Sequence, residues 1–388
     1  MVLNRNCPIC DKRNGEKIEH ICMNVPENYR LPDSYNIVVC DNCGMVYADT
    51  SASVEDYDWY YTNCNFYGDD SKDDNRERYD WMEDLLKKHL TKESVMLELG
   101  AGNGRYSMAL KEHGYSQITA TDPSEESVQR LRAAGIDAYV ANIYSEVTEK
   151  EQNRYDAVFL FEVTEHLLIP KKGIANVTSL LRNNGIANVT SLLRNNGYFM
   201  LSAPDYSLIA KDTCSIPNYF NLEHINYFSE DSLDTLMAQF HMKRVDQKRI
   251  GEDLIQVYQK TTDQIPVRKD EKTKIAVQQY LQQQKERSIQ IQKKIGQLQE
   301  QEKELVIWGT GSYVMSLLAT TALKDCRIVG FVDNNKIKQG RTMYGYKIYA
   351  PDYLLDKYCT VVICSMLYSE QIKKQLEAMH TENEIVIL

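Results

Sequence analysis

A chain of 388 residues is too long for one compact core, so two or three domains are predicted, and a hydrophobic fraction of 43% is ample to build them. A formal net charge of −10 counts against a nucleic-acid partner, because phosphate binding depends on clustered Lys and Arg. The opening MVLNRNCPIC lacks the apolar centre of a signal peptide, and no stretch approaches about 18 uninterrupted apolar residues. The expectation is a cytoplasmic protein with no membrane partner, whose ten cysteines serve metal binding or burial before disulfides.

The first element in chain order is a pair of knuckles, CPIC at Cys7 and Cys10 and CDNC at Cys40 and Cys43, separated by 29 residues. Two such pairs can close a tetrahedron of thiolates around zinc, and four protein ligands leave no open position, so a structural zinc is expected in a module over residues 1–49. The long separation predicts a small lobe between the knuckles, with His20 and Cys22 inside it as packing residues. DYDWYYTNCNFYG at 56–68 is too aromatic for a flexible linker, and residues 50–90 are read as a segment that covers a substrate.

VMLELGAGNGRYS at 95–107 is an apolar strand running into Gly100, Gly102 and Gly104, with Glu98 in its last turn. The third glycine comes one residue too early for a dinucleotide fingerprint, whose position is held by Arg105. A second strand, ITATD, ends at Asp122, and a third, AYVA, ends before Asn142. YDAVFLFEVTEHLLIP is a continuous apolar strand, as expected where helices cover both faces, and it stops in Glu162, Glu165 and His166. A helix, the strand GYFMLSAP, the helical SEDSLDTLMAQF and the strands KRVDQKRI and LIQVYQK complete an alternation over residues 91–262.

The glycine spacing and this succession resemble the class I S-adenosylmethionine-dependent methyltransferases. Glycine lets backbone approach the ligand, and nearby acidic groups suit a sulfonium-bearing donor better than a pyrophosphate. The resemblance implies that Glu98, Gly100, Gly102, Gly104, Asp122, Asn142, Phe161 and Glu162 form the donor site, with Asp122 at the ribose hydroxyls and Asn142 near the adenine. Methyl transfer to carbon or oxygen also needs a base, and His166 and the Glu223–His224 pair of NLEHINYF both fall at carboxyl ends of the sheet.

The four-cysteine module, the aromatic segment, the Glu-His after strand five and a second glycine-loop domain together resemble the zinc-containing sugar C-methyltransferases of deoxysugar and surface-glycan biosynthesis. That family implies a nucleotide-linked keto sugar as substrate, enolised by His224 with Glu223 as partner and methylated at carbon. The tyrosine of its Tyr-x-Glu-His run falls on Asn221 here, and His166, Tyr60, Tyr61 and Tyr67 are candidates to replace it. Three alternatives stand beside this reading. One is an O- or N-methyltransferase acting on a sugar or other small metabolite; another is a zinc-bearing RNA methyltransferase, which the acidity disfavours; the last is a catalytically impaired ligand-binding homologue.

Residues 263–304 are rich in Gln, Lys and Glu, with Ile275, Leu281, Ile291, Ile295 and Leu298 spaced for a packed connector helix. Residues 305–388 begin LVIWGTGS and continue to FVDNN, a strand, glycine turn, helix and strand ending at Asp333. Val314 stands at the third glycine position, which counts against a redox cofactor; the domain is expected to wall the substrate cleft or grip a nucleotide-sugar diphosphate through Gly309, Gly311 and Ser312, with a purely structural lobe as the alternative. GIANVTSLLRNN occurs twice without a gap, at 173–184 and 185–196. Twelve residues rotate a helix by about 120° relative to whole turns, so the two copies cannot bury one face of a continuous helix. The fold class expected is α/β: a class I methyltransferase Rossmann-like sheet, a small N-terminal zinc module and a second, C-terminal Rossmann-like domain, in a monomer or homodimer.

Overall fold

A computed structural model describes residues 2–26, 29–64, 76–181, 197–211, 219–251 and 253–388. The N-terminal module is an antiparallel meander of β1 (Gly15–Cys22), β2 (Ser34–Cys40) and β3 (Val46–Asp49). The expected lobe between the knuckles is therefore the β1–β2 hairpin. Each knuckle closes on itself, with Asp11 N donating to Cys7 O and Gly44 N to Cys40 O. The aromatic segment yields α1 (Val54–Asn63), whose start is fixed by a capping box between Ser53 and Asp56.

The central domain runs α2 (Arg76–Leu86), β4 (Met96–Leu99), α3 (Arg105–Glu112), β5 (Ile118–Asp122), α4 (Glu125–Ala133), β6 (Asp137–Val140) and β7 (Ala157–Phe161). It continues with α5 (Pro170–Leu180), β8 (Tyr198–Pro204), β9 (Asn226–Tyr227), α6 (Glu230–Ala238), β10 (Met242–Ile250) and β11 (Asp253–Lys260). Its sheet has the order β10-β11-β8-β7-β4-β5-β6, with β8, β7, β4, β5 and β6 parallel and β11 antiparallel to both neighbours. Strands β4, β5 and β7 are buried at every residue, as in a sheet covered on both faces, and β7 is an unbroken apolar run. The first copy of the repeated dozen supplies α5, which buries Ile174, Val177 and Leu180 along one stripe. The second copy lies outside the described residues.

Strand β9 leaves this domain's sheet. It pairs with β3, Val46 opposite Tyr227 and Tyr47 opposite Asn226, and so becomes the fourth strand of the N-terminal sheet. One face of that sheet shares a core with β4, β7, β8 and α5 through Val38 and Tyr47. Its other face shares a core with α1 and the C-terminal domain through Ile37, Tyr57 and Ile307.

The connector is α7 (Lys272–Glu300), which buries Ala276, Val277, Tyr280, Leu281, Ile295 and Leu298. Ile275, expected on the packed face, is 55% exposed. The shorter Ala276 and the aromatic Tyr280 take the inward stripe, because Tyr280 packs edge-on against Tyr219. The last domain comprises β12 (Leu305–Trp308), α8 (Ser312–Thr320), β13 (Ile328–Val332), β14 (Thr342–Met343), β15 (Tyr346–Tyr349), β16 (Thr360–Ile363), α9 (Ser369–Ala378) and β17 (Glu384–Ile387). Its strand order is β14-β15-β13-β12-β16-β17, parallel apart from β14. Gly309 has φ +113° and faces the Cys364 carbonyl, while Thr310 donates to Asp333 across the turn.

Asp270 joins three of these parts. Its backbone N–H donates to Cys43 O, and its buried carboxylate accepts from Ser229 Oγ (2.5 Å) at the start of α6 and from Thr273 N (3.0 Å) and Oγ1 (2.7 Å) at the start of α7. Removing a buried acceptor leaves those donors without a partner. Asp270→Ala is therefore expected to destabilise the fold by ~2–4 kcal/mol, read as a lower midpoint in urea unfolding; an unchanged midpoint would refute the junction.

Candidate functional site

The turn after β4 is built for close approach. Gly100, Gly102 and Gly104 have φ of +71°, +55° and +80°, and a Cβ on Gly100 would lie 2.8 Å from Val163 Cγ2. Asp122 ends β5 and secures the turn, accepting from Gly102 N (2.8 Å) and Ser124 N (2.9 Å). Burial raises its pKa. Glu98 is fully enclosed behind the turn and accepts from Ser107 at the start of α3; burial pushes its carboxyl up to about 7, against the lowering effect of that hydrogen bond. Phe161 is buried with its ring centroid 4.4 Å from that of Tyr106. Glu162 follows at φ +57°, a backbone state that a non-glycine residue holds only under surrounding constraint, here its N–H bonded to Ser202. Asn142, beyond β6, donates to Asp58 Oδ1 of α1 (2.5 Å) and accepts from Tyr144 N (2.9 Å).

These residues open into a cavity of about 440 Å³ lined by Gly100, Asp122, Asn142 and Glu162 at one end and by Glu165, His166, Glu223 and His224 at the other. Tyr57, Asp58 and Tyr61 of α1 line it from the covering side, and Leu367 reaches it from the C-terminal domain. The histidine rings meet edge to face, centroids 4.8 Å apart. His166 Nδ1 faces the Glu223 carbonyl at 3.1 Å, and a carbonyl only accepts, so that nitrogen carries the hydrogen and Nε2 the lone pair. Tyr206 Oη donates to the Tyr219 carbonyl (2.8 Å), which leaves its oxygen to accept from His224 Nδ1 (3.2 Å) and assigns His224 the same tautomer. Burial lowers both pKa values, to about 4 for His166 and about 3 for His224, where the neighbouring His166 lowers it further and Glu223 opposes. Both imidazoles are neutral at pH 7, and with Glu165 their ligating atoms lie within 4.8 Å of one another. Such a trio can move protons or hold a cation.

The Glu223 carboxylate accepts from Tyr60 Oη (2.5 Å), and Tyr61 Oη stands 3.1 Å from His166 Nδ1. Asn221 shapes the loop: its Oδ1 accepts from the backbone N–H groups of Glu223 (2.8 Å) and His224 (2.7 Å). Tyr67 lies outside the described residues. Sequence reasoning missed Asp58, Tyr57, Tyr206 and Tyr219. Tyr57, Asp58 and Tyr61 share a helical face by their spacing, a signal present in DYDWYY but recognisable only once that stretch is known to be helical.

In the N-terminal module, Cys7, Cys10, Cys40 and Cys43 bring their four sulfurs within 4.8 Å of one another, Cys7 to Cys43 at 3.4 Å and Cys10 to Cys40 at 3.5 Å. A tetrahedral zinc with Zn–S of about 2.3 Å separates its sulfurs by about 3.8 Å, so the donor set and its spacing fit that ion.

A five-stranded parallel sheet with an antiparallel insertion, a glycine turn after its first strand and an acidic residue ending the next defines the class I fold of S-adenosylmethionine-dependent methyltransferases. Residues 73–245 match the family described as a methyltransferase domain, and this part of the chain is a methyltransferase domain. Residues 301–387 match a second family, described as C2185-like, N-terminal. No curated protein sequence matches the chain.

Similar solved structures include the 1,6-didemethyltoxoflavin-N1-methyltransferase of Burkholderia thailandensis, at 17% identity over 57% of this chain and 96% of that one, TM-score 0.39. Another is the magnesium protoporphyrin IX methyltransferase of Synechocystis PCC 6803 with bound S-adenosylhomocysteine, at 14% identity over 48% and 84%, TM-score 0.37. The N-methyltransferase NodS of Bradyrhizobium japonicum WM9 follows at 14% identity over 49% and 98%, TM-score 0.35. Among the described residues no helix is long and apolar enough to cross a membrane.

The depressed histidine pKa values set a pH dependence. A histidine that stays neutral in the fold but protonates near 6.5 when unfolded makes the unfolded state take up more protons below pH 6.5, so stability falls as pH drops from 6.5 towards about 4 for His166 and about 3 for His224. Glu98, with its pKa raised from 4.5 to about 7, has the opposite sign over pH 4.5–7, so the test is a comparison. The stability of the wild type relative to His224→Gln is expected to decline on acidification below pH 6.5, by at most about 1.4 kcal/mol per pH unit, and to be flat above it. Parallel stability curves would contradict the neutral buried imidazole.

Proposed function

We propose that the protein methylates a nucleotide-linked keto sugar at the carbon beside its keto group. The observation that carries this reading is the presence of two neutral imidazoles on the same cavity as the glycine turn. S-adenosylmethionine supplies an electrophilic methyl group when bound by Gly100, Gly102 and Gly104, with Asp122 at the ribose hydroxyls, Asn142 beside the adenine and Glu98, Phe161 and Glu162 completing the donor end. His224 Nε2 takes the proton from the carbon next to the keto group, and the electron pair of that C–H bond moves towards the keto oxygen. The cation formed on His224 is favoured by Glu223, whose charge raises the His224 pKa and whose carboxylate is fixed by Tyr60. His166 and Tyr61 are available to the enolate oxygen, with Tyr60 behind them and Tyr67 a further candidate. The α1 segment shields the reaction from water.

Cys7, Cys10, Cys40 and Cys43 hold one structural zinc, which ties the two knuckles together and leaves no site for substrate. Metal analysis of the purified protein is expected to give about one zinc per chain, falling to none in a Cys40→Ser, Cys43→Ser variant; a metal-free wild type would refute the assignment.

One observation favours a second reading. The Asn221 side chain is committed to the backbone of Glu223 and His224, where the sugar C-methyltransferases present a phenol, and the same His224 could deprotonate a hydroxyl of another small metabolite. Calorimetric titration with S-adenosylhomocysteine, followed by thymidine, uridine, guanosine and cytidine diphosphate sugars, separates the two. Binding of one sugar nucleotide supports the keto-sugar reading, and binding of none supports the other. With the acceptor in hand, His224→Ala is expected to keep affinity for S-adenosylhomocysteine and lose turnover by ~10²-fold or more. Undiminished turnover would remove His224 as the base.

A further inference from the structure

Among the described residues no hydrogen bond joins Arg5 or Asn226 to the glycine turn, yet together they bind both histidine-bearing loops. Asn226 is fully buried in β9, two residues after His224. Its amide Nδ2 donates to the carbonyls of Leu167 (2.7 Å), Thr164 (3.3 Å) and Glu165 (3.3 Å), which belong to the single helical turn that carries His166. Within so short a turn only Thr164 O is met by a backbone donor, Leu167 N (3.3 Å), and the carbonyls beyond it must find donors elsewhere. The two N–H groups of the Asn226 amide reach all three carbonyls, Leu167 O at the shortest distance and the other two at 3.3 Å sharing a donor, and Ile225 N also donates to Glu165 O (3.0 Å).

An amide can perform this only in one of its two flips. Arg5 Nη2 sets the flip, donating to Asn226 Oδ1 (2.9 Å) and at the same time to Leu168 O (3.0 Å), beyond His166. Arg5 is itself held: Asp49, buried at the end of β3, accepts from the backbone N–H groups of Asn4 (2.7 Å) and Arg5 (3.0 Å), and Arg5 Nη1 reaches Ala48 O (3.4 Å). The guanidinium lies over the Tyr47 ring, 5.5 Å from its centroid. A planar fork that donates in two directions from one fixed point is what distinguishes Arg from Lys here.

We propose that Arg5 and Asn226 are positioning residues: they form a latch that holds His166 and His224 in one mutual arrangement and makes that arrangement depend on the four-cysteine module, which contributes Arg5. The inference rests on the reading that these two histidines serve the acceptor end of the cavity.

The test uses the full chain labelled with ¹⁵N and the ring correlations of its histidines, with His166→Gln and His224→Gln assigning the two signals. Wild type is expected to show both rings as neutral Nδ1–H tautomers. Arg5→Met and Asn226→Ala are expected to shift both ring signals and to raise both protonation midpoints by about one pH unit or more towards the ordinary histidine value. Arg5→Lys, whose single ammonium can donate to Asn226 Oδ1 and Leu168 O but lacks the second nitrogen that reaches Ala48 O, should fall between. The backbone amides of Gly100 and Gly102 should be unchanged in all three. Histidine signals that coincide with wild type would overturn the latch, as would a change that moves the glycine-turn amides equally, since that is general loosening. Either of Arg5→Lys and Asn226→Ala decides the point if Arg5→Met does not fold. Wild type that fails to bind S-adenosylhomocysteine would count against the donor site and leave the histidine result standing.

Discussion

The pairing of β3 with β9 is the constraint on which the molecule's arrangement depends. Two residue pairs, Val46 with Tyr227 and Tyr47 with Asn226, join a strand from the first fifty residues to a segment that follows His224 immediately. Because the strand faces alternate, the pairing directs Tyr227 to one side of the sheet, into the core shared with α1, α7 and the C-terminal domain, and Tyr47 to the core shared with the methyltransferase sheet. A slip of one residue would exchange these faces and turn Asn226 away from the His166 turn. The register is thus specified by burial on both sides, and the loop that carries His224 inherits it.

Electrostatics at the two ends of the cavity follow from burial. At the donor end, Asp122 is secured by backbone N–H groups, a source of positive dipole that costs no counter-charge. At the other end the rings of His166 and His224 lie among Tyr61, Tyr206 and each other, surroundings that solvate an imidazolium poorly. A neutral imidazole gains charge only as it takes a proton, and the Glu223 carboxylate, which accepts from Tyr60, opposes the lowering of the His224 pKa. The covering helix α1 takes part in both ends at once, through Asp58 with Asn142 and through Tyr61 with His166.

Much of the fold was legible because its signals are local. The glycine turn, the apolar runs of β4 and β7 and the Ser229 cap of α6 are specified by neighbouring residues, and the sheet formed where they predicted. The cysteine spacing likewise announced a four-sulfur cluster, since a knuckle is a short-range structure. The inward face of α7 was misjudged at Ile275, because a long helix with neighbours on one side selects residues by the shape it meets, and Tyr219 rewards Tyr280. Asn221 occupies an acceptor-site position by motif, yet its side chain serves the turn, a use that hydrophobic or catalytic pattern cannot express.

What the sequence by itself determined is the kind of chemistry: a glycine turn after a buried strand, followed by Asp122, admits a methyl donor through backbone conformation and sequence-local geometry. It also supplied the candidates His166 and His224, since both follow strand ends. Only the tertiary structure decided that the two rings touch, that each has its Nδ1 hydrogen committed to a distant oxygen, and that Arg5 and Asn226 bind their loops across separations of 163 and 221 residues for Arg5 alone. The physical reason is range: conformational preference and periodicity act within a few residues, whereas the partner of a buried polar group is whichever donor or acceptor the packed chain brings within about 3 Å.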